Sequence, residues 1–217
     1  MKRTLFVGDI HGCVDELKSL MEKVKFNKST DRLIYLGDII NKGPNSRAVV
    51  DYIISQDAEC LLGNNEIGFL DLLSRGGYPG SSLHFAVEQF ADNLDYYVKF
   101  FESLPLYIEE DDFIAVHAGI APGKTPEQCS KRILTTIRTW DGTGHDLNNS
   151  SHPPWYELYE GQKTVIYGHY AKKGLTVRAN TIGLDSGCVF GGRLSCLIWP
   201  SREIVQVQAQ KVYLEVN

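Results

Sequence analysis

Six residues able to hold a metal ion stand at corresponding places along this chain: Asp9, His11, Asp38, Asn64, His117 and His169. Each follows an apolar run. Glycine precedes Asp9, Asp38, Asn64 and His169 as Gly8, Gly37, Gly63 and Gly168, whereas His117 follows Val116 directly. Carboxylate oxygen, amide oxygen and imidazole nitrogen suit borderline divalent metals. Six such donors, with one carboxylate shared, could hold two ions and so activate water against a phosphoryl group. A glycine beside a ligand lets the backbone turn and approach an ion with no Cβ in the way. Taken singly, each residue could instead be a helix cap, a turn residue or a hydrogen-bonded core imidazole. What raises the metal reading above that alternative is recurrence at five strand ends. His84, His145 and His152 lack this setting and read as structural or solvated.

Such a convergence needs strands that end side by side, because ligands of open α/β sheets collect outside the carboxyl ends of the strands. The pattern supplies them. Strands are expected over residues 4–7, 32–36 and 59–62, then 106–108 and 113–116, and in the last third over 164–167, 175–177, 194–199 and 204–207. Helices are expected over 14–24, where Leu17, Leu20, Met21 and Val24 share a face, and over 46–55, with Ser46 as a cap. Further helices are expected over 67–73, 84–103 and 126–138, with loops over 75–82 and 141–154. Helices among the early strands and strands crowded late predict an α/β layered domain with mixed sheets, one domain over 1–217.

Composition excludes several classes of function. A net charge of −5 argues against a chain-wide electrostatic grip on nucleic acid or an anionic membrane surface, and leaves room for a local basic pocket. No apolar run approaches a membrane span. The basic start, Met1-Lys2-Arg3, is followed by too short an apolar stretch for a signal peptide. The five cysteines (13, 60, 129, 188 and 196) have no Cys-x-x-Cys spacing, so neither a disulfide framework nor a thiolate zinc site is expected; reduced thiols in a cytoplasmic setting are.

In order along the chain, Gly8-Asp9-Ile10-His11-Gly12, Gly37-Asp38-Ile39-Ile40-Asn41-Lys42-Gly43, Gly63-Asn64-Asn65-Glu66, His117-Ala118-Gly119-Ile120 and Gly168-His169 resemble the motifs of calcineurin-like metallophosphoesterases. The likeness is greatest to the phosphoprotein-phosphatase branch. Gly43-Pro44-Asn45-Ser46 and the tail over 183–199 look most like symmetrical diadenosine tetraphosphate hydrolases. The resemblance implies two mixed β-sheets packed as a sandwich and flanked by helices. It implies that Asp9 and His11 bind one metal, that Asp38 bridges, and that Asn64, His117 and His169 hold the second. Manganese is the first choice, with iron, zinc or cobalt as alternatives. Lys42 stands where relatives often carry arginine and, with Arg138, is a candidate phosphate clamp; lysine is a point charge rather than a bidentate fork. For Arg138 a solvated surface role is equally open, and Tyr170 could line the pocket or pack.

One position departs from the family pattern. Asn65 replaces the histidine assigned to protonate the leaving oxygen, and Asn41 replaces the aspartate that often orients it. An amide cannot serve as a general acid, and losing one typically costs about 10²–10⁴-fold in rate. A nucleotide phosphate, whose last ionisation is near pH ~6, leaves as a stable anion without that proton. A serine or threonine alkoxide does not. The expected partner is therefore a dinucleoside polyphosphate of the diadenosine tetraphosphate type. A phosphoprotein substrate and a catalytically silent metal- and phosphate-binding protein are the alternatives.

Overall fold

The computed structural model describes residues 3–76 and 83–215; positions 77–82 of the loop expected over 75–82 lie outside these. In chain order the elements are β1 (Arg3–Val7), α1 (Val14–Lys23), β2 (Asp31–Tyr35), α2 (Ser46–Gln56), β3 (Glu59–Cys60) and α3 (Asn64–Ser74). Then come α4 (His84–Phe90), α5 (Leu94–Glu102), β4 (Tyr107–Glu109), β5 (Phe113–Val116), α6 (Lys131–Thr136) and β6 (Thr164–Tyr167). The chain ends through β7 (Thr176–Val177), β8 (Thr181–Gly183), β9 (Arg193–Trp199) and β10 (Glu203–Gln208). One sheet runs β10-β9-β1-β2-β3 and the other β4-β5-β6-β8-β7. Within them β1, β2 and β3 are mutually parallel, as are β5, β6 and β8; β9, β10, β4 and β7 run antiparallel to their neighbours. This is the sandwich of mixed sheets that the sequence led us to expect.

Each central strand ends in an apolar run because it is buried there on both faces, and the period-2 alternation divides those side chains between two cores. Leu5 and Val7 of β1, with Leu33 and Tyr35 of β2, face the helices α1–α5. Phe6 and Ile34 point the other way and meet Phe113, Ala115 and Ile166 of the second sheet. The Phe6 and Phe113 rings cross edge to face at 5.0 Å, pinning the sheets together. Ile114, Val116, Val165 and Tyr167 turn outward onto α6 and the fully buried Trp155.

Several expectations need correction. Ser46 is the first helical residue of α2, behind Asn45 as cap, and its hydroxyl accepts the Asn41 N–H at 2.9 Å. The helix expected over 84–103 breaks into α4 and α5 around a 3-10 turn, Ala91–Asn93, which folds the Phe90 ring to within 4.6 Å of Tyr97 and 5.7 Å of Phe101. The helix expected over 126–138 reduces to a 3-10 turn, Pro126–Gln128, and the short α6 capped by Ser130. Helix α3 starts at Asn64, three residues earlier than its hydrophobic pattern suggested. Strand β8 had no sequence signal strong enough to place it.

Candidate metal centre

Strands β1, β2, β5 and β6 deliver Asp9, Asp38, His117 and His169 to one rim, where the two sheets face each other. All four residues and His11 are buried, and Asn64 is half-buried. The turns that aim them are strained. His11, Asp38, Asn41, Lys42 and His169 all have positive φ, between 48 and 70°, five of the eight such non-glycine residues described. Strain of this kind persists only where surrounding contacts over-determine the backbone, and it collects at functional sites. For the turn after β2, Glu66 supplies the contacts. Its fully buried carboxylate accepts N–H bonds from Asp38 (2.9 Å), Ile39 (3.0 Å), Ile40 (3.3 Å) and Gly63 (2.9 Å). Glycine is required at 63, because a Cβ there would meet the Asp38 backbone and the Glu66 carboxylate.

The side chains fall into two groups that share Asp38: Asp9, His11 and Asp38, and Asp38, His117 and His169. Within each, one ligand atom per residue lies within 4.8 Å of the others. Hydrogen bonds fix the imidazoles. His11 Nδ1 donates to the Ile40 carbonyl at 3.1 Å and His117 Nδ1 to the Leu36 carbonyl at 2.8 Å, so each Nε2 turns a lone pair toward the rim. His117 Nε2 there lies 3.1 Å from Asn64 Oδ1 and 3.4 Å from Asp38 Oδ1. His11 Nε2 lies 3.6 Å from Asp38 Oδ2 and 4.0 Å from Asp9 Oδ2. The Nε2 of His169 is buried without any partner. An orphaned imidazole nitrogen beside the converging oxygens of Asp38 and Asn64 is what a cation satisfies.

Electrostatics points the same way. Burial pushes all three imidazoles down, His11 to about 4 with help from Lys42, so each gives up its proton readily to a metal. Burial raises the Asp9 carboxyl, reinforced by the charges of Asp185 and Asp38. Burial also opposes ionisation of Asp38, but His117, His11 and Lys42 outweigh it and hold that carboxyl well below its usual range. Asp185 is the residue the sequence reading missed. It follows β8 at the same rim, is buried, and is raised to about 6, chiefly by burial. Three buried carboxylates thus share the rim. Lys42 donates to His11 Nε2 at 2.9 Å, and Arg138 lies 5.9 Å over the Tyr170 ring, its charge acting on His117 and His169.

Asn65 is no empty position. Its backbone N–H and its Nδ2 donate to Asp38 at 2.8 and 2.5 Å, while its Oδ1 accepts from Asn41 Nδ2 at 2.8 Å. The two amides form a chain ending on the shared carboxylate.

The model of the calcineurin-like phosphoesterases matches residues 2–198. The chain belongs to that family. It is accordingly a metal-dependent phosphohydrolase. It is 26% identical over 265 residues to a symmetrical bis(5'-nucleosyl)-tetraphosphatase of Vibrio campbellii, covering 95% of this chain and 98% of that one. It is 30% identical over 234 residues to the asymmetrical bis(5'-nucleosyl)-tetraphosphatase PrpE of Anoxybacillus flavithermus, covering 96% and 95%. A solved structure provisionally described as a diadenosine tetraphosphatase superposes with a TM-score of 0.87 at 31% identity, over 97% of this chain and 95% of that one. A serine/threonine phosphatase from Saccharomyces cerevisiae shares the fold at a TM-score of 0.68 and 14% identity. For this phosphoesterase, no described helix is long and apolar enough to cross a membrane.

Proposed function

We propose that the protein hydrolyses the phosphoanhydride chain of dinucleoside tetraphosphates, diadenosine tetraphosphate being the model substrate. The observation that carries this reading is the engagement of Asn65. The side chain at the position of the family's proton donor is an amide, and both its ends are committed to Asn41 and Asp38. A site so furnished suits a leaving group that departs as a phosphate anion and needs no proton. The names of the relatives, both tetraphosphatases, support the same substrate class.

In this reading Asp9, His11 and Asp38 hold one divalent ion, and Asp38, Asn64, His117 and His169 the other; manganese is the preferred metal. Two such ions, when bound, would supply a water of lowered pKa and offset charge on the phosphoryl oxygens. The chain's own residues do the positioning. Asn65 fixes the rotamer of Asp38 through two donors, the buried imidazoles present lone pairs, and Lys42 and Arg138 clamp the oxygens of the polyphosphate. In a manganese-supplemented assay, diadenosine tetraphosphate is expected to turn over at least about tenfold faster than a phosphoserine peptide, given the cost of a missing general acid. Product analysis then identifies the bond cut: two ADP for symmetrical cleavage, AMP plus ATP for asymmetrical. Faster turnover of the phosphopeptide refutes the reading.

A further inference from the structure

A second set of metal-ligating atoms converges at the start of α1, built from none of the residues of the phosphoesterase centre. The sulfurs of Cys13 and Cys188 and a carboxylate oxygen of Glu16 lie within 4.8 Å of one another, and all three residues are buried. Both thiols are free. Cys13 is the cap of α1 and Glu16 stands in its first turn, a spacing that puts both side chains on one side of the helix. Cys188 opens a 3-10 turn, Cys188–Phe190, between Gly187 and Gly191. Those glycines have φ of 71 and 82°, a backbone that brings the thiol back against the helix.

The decisive atom is Glu16 Oε2. Glu16 is only 2% exposed. Its Oε1 accepts the Gln210 N–H at 2.9 Å and the Tyr213 hydroxyl at 2.8 Å, yet Oε2 is buried with no partner. The groups acting on the Cys188 thiol are Cys13, by a hydrogen bond, then burial, then the charges of Cys13, Glu16 and Asp185; all push it up, and no positive side chain is among them. Buried polar atoms are normally paired, and a buried carboxylate needs a compensating cation. Two sulfurs beside one carboxylate form a soft-to-borderline donor set, for which zinc is the best match.

We propose that Cys13, Glu16 and Cys188 form a three-residue zinc-binding site, distinct from the two ions of the phosphoesterase centre. The thiols release their protons to solvent as the ion binds, and Glu16 keeps its bonds to Gln210 and Tyr213 through its other oxygen. The ion then joins three segments: the turn carrying His11, the turn that follows Asp185, and the chain beyond β10. It holds two rim turns of the catalytic centre in register without touching substrate.

Cobalt substitution separates this site from the catalytic one, whose oxygen and nitrogen donors include no thiolate. The cobalt-loaded protein is expected to show the near-ultraviolet charge-transfer band of a cobalt–thiolate bond, and zinc is expected to bleach it. Cys188→Ser and Cys13→Ser should each abolish the band and lower the zinc content by one ion per chain. Absence of the band from the unsubstituted protein overturns the proposal, as does a band that survives in both variants. A disulfide between Cys13 and Cys188 in the purified protein overturns it too. Should the variants fail to fold, the unsubstituted protein decides: after saturation with zinc, metal analysis must return three ions per chain, and two or fewer refutes the site.

Discussion

At position 65, where the resemblance implies a proton donor, stands an amide that holds a carboxylate still. The amide chain from Asn41 through Asn65 to Asp38 ties two exchanges into one, because each amide satisfies the other. A fully oriented acid therefore needs both changed. Asn65→His alone is expected to raise manganese-dependent turnover of alkyl phosphomonoesters at least about tenfold. Adding Asn41→Asp, whose carboxylate can accept from the new imidazole, should raise it by more than the product of the single effects. The gain should be largest for alkyl phosphomonoesters and smallest for diadenosine tetraphosphate, whose leaving group needs no proton. Steady-state rates across that substrate series test it; identical gains for every leaving group would sink the idea. Residues such as Asp9, Asp38, His117 and His169 were legible in the sequence because each interrupts an apolar run at the strand's end. Asp185 was not. Its strand is three residues long and fully buried, so no alternation announced it. The meeting of Cys13 with Cys188 could not be read either, since it is made by the fold and by no local spacing.

At the level of elements, α3 does more than follow β3. The helix begins at Asn64, so its first turn presents Asn64 to the rim, Asn65 to Asp38 and Glu66 to the turn after β2. The hydrophobic pattern placed this helix only from residue 67, because its first turn is polar and is buried by hydrogen bonds rather than by apolar contact. Glu66 is thus a bolt between two elements. Four backbone donors converge on its carboxylate, and Asp38 and the strained backbone at Asn41 and Lys42 depend on the turn it holds. Glu66→Gln replaces one accepting oxygen with an NH₂ that confronts backbone N–H groups. A buried unsatisfied donor costs about 1–3 kcal/mol, more where charge is lost, so the variant should lose at least about 2 kcal/mol of stability. Urea denaturation measures the loss, and manganese affinity should fall with it as Asp38 loses its setting. An unchanged urea midpoint would show that the bolt carries no load. The break of residues 84–103 into α4 and α5 has a comparable cause: a straight helix could not turn Phe90, Tyr97 and Phe101 into one aromatic cluster.

For the whole molecule, the centre lies across the seam between the sheets. Asp9, His11, Asp38 and Asn64 come from the first sheet, His117 and His169 from the second, and ions held among them would link the two layers at their rim. The sandwich core of Phe6, Ile34, Phe113 and Ile166 holds the layers together without metal, so the metal-free protein should stay folded but unfold more readily. An ion present at a hundred times its dissociation constant stabilises the native state by about 2.7 kcal/mol. In a domain of this size each kcal/mol corresponds to roughly 2–4 °C in Tm, so stripping one such ion should lower Tm by about 5–10 °C. Asp38→Asn, which weakens the shared ligand, should shrink that difference. Calorimetry with manganese, and after chelation and dialysis, measures both quantities. The test is strict because both groups share Asp38. A centre confined to one sheet would survive the loss of a ligand from the other, whereas here His169→Ala and Asp9→Ala should each reduce the manganese-dependent rise in Tm. A rise that is indifferent to both substitutions would place the stabilising ions somewhere other than the seam.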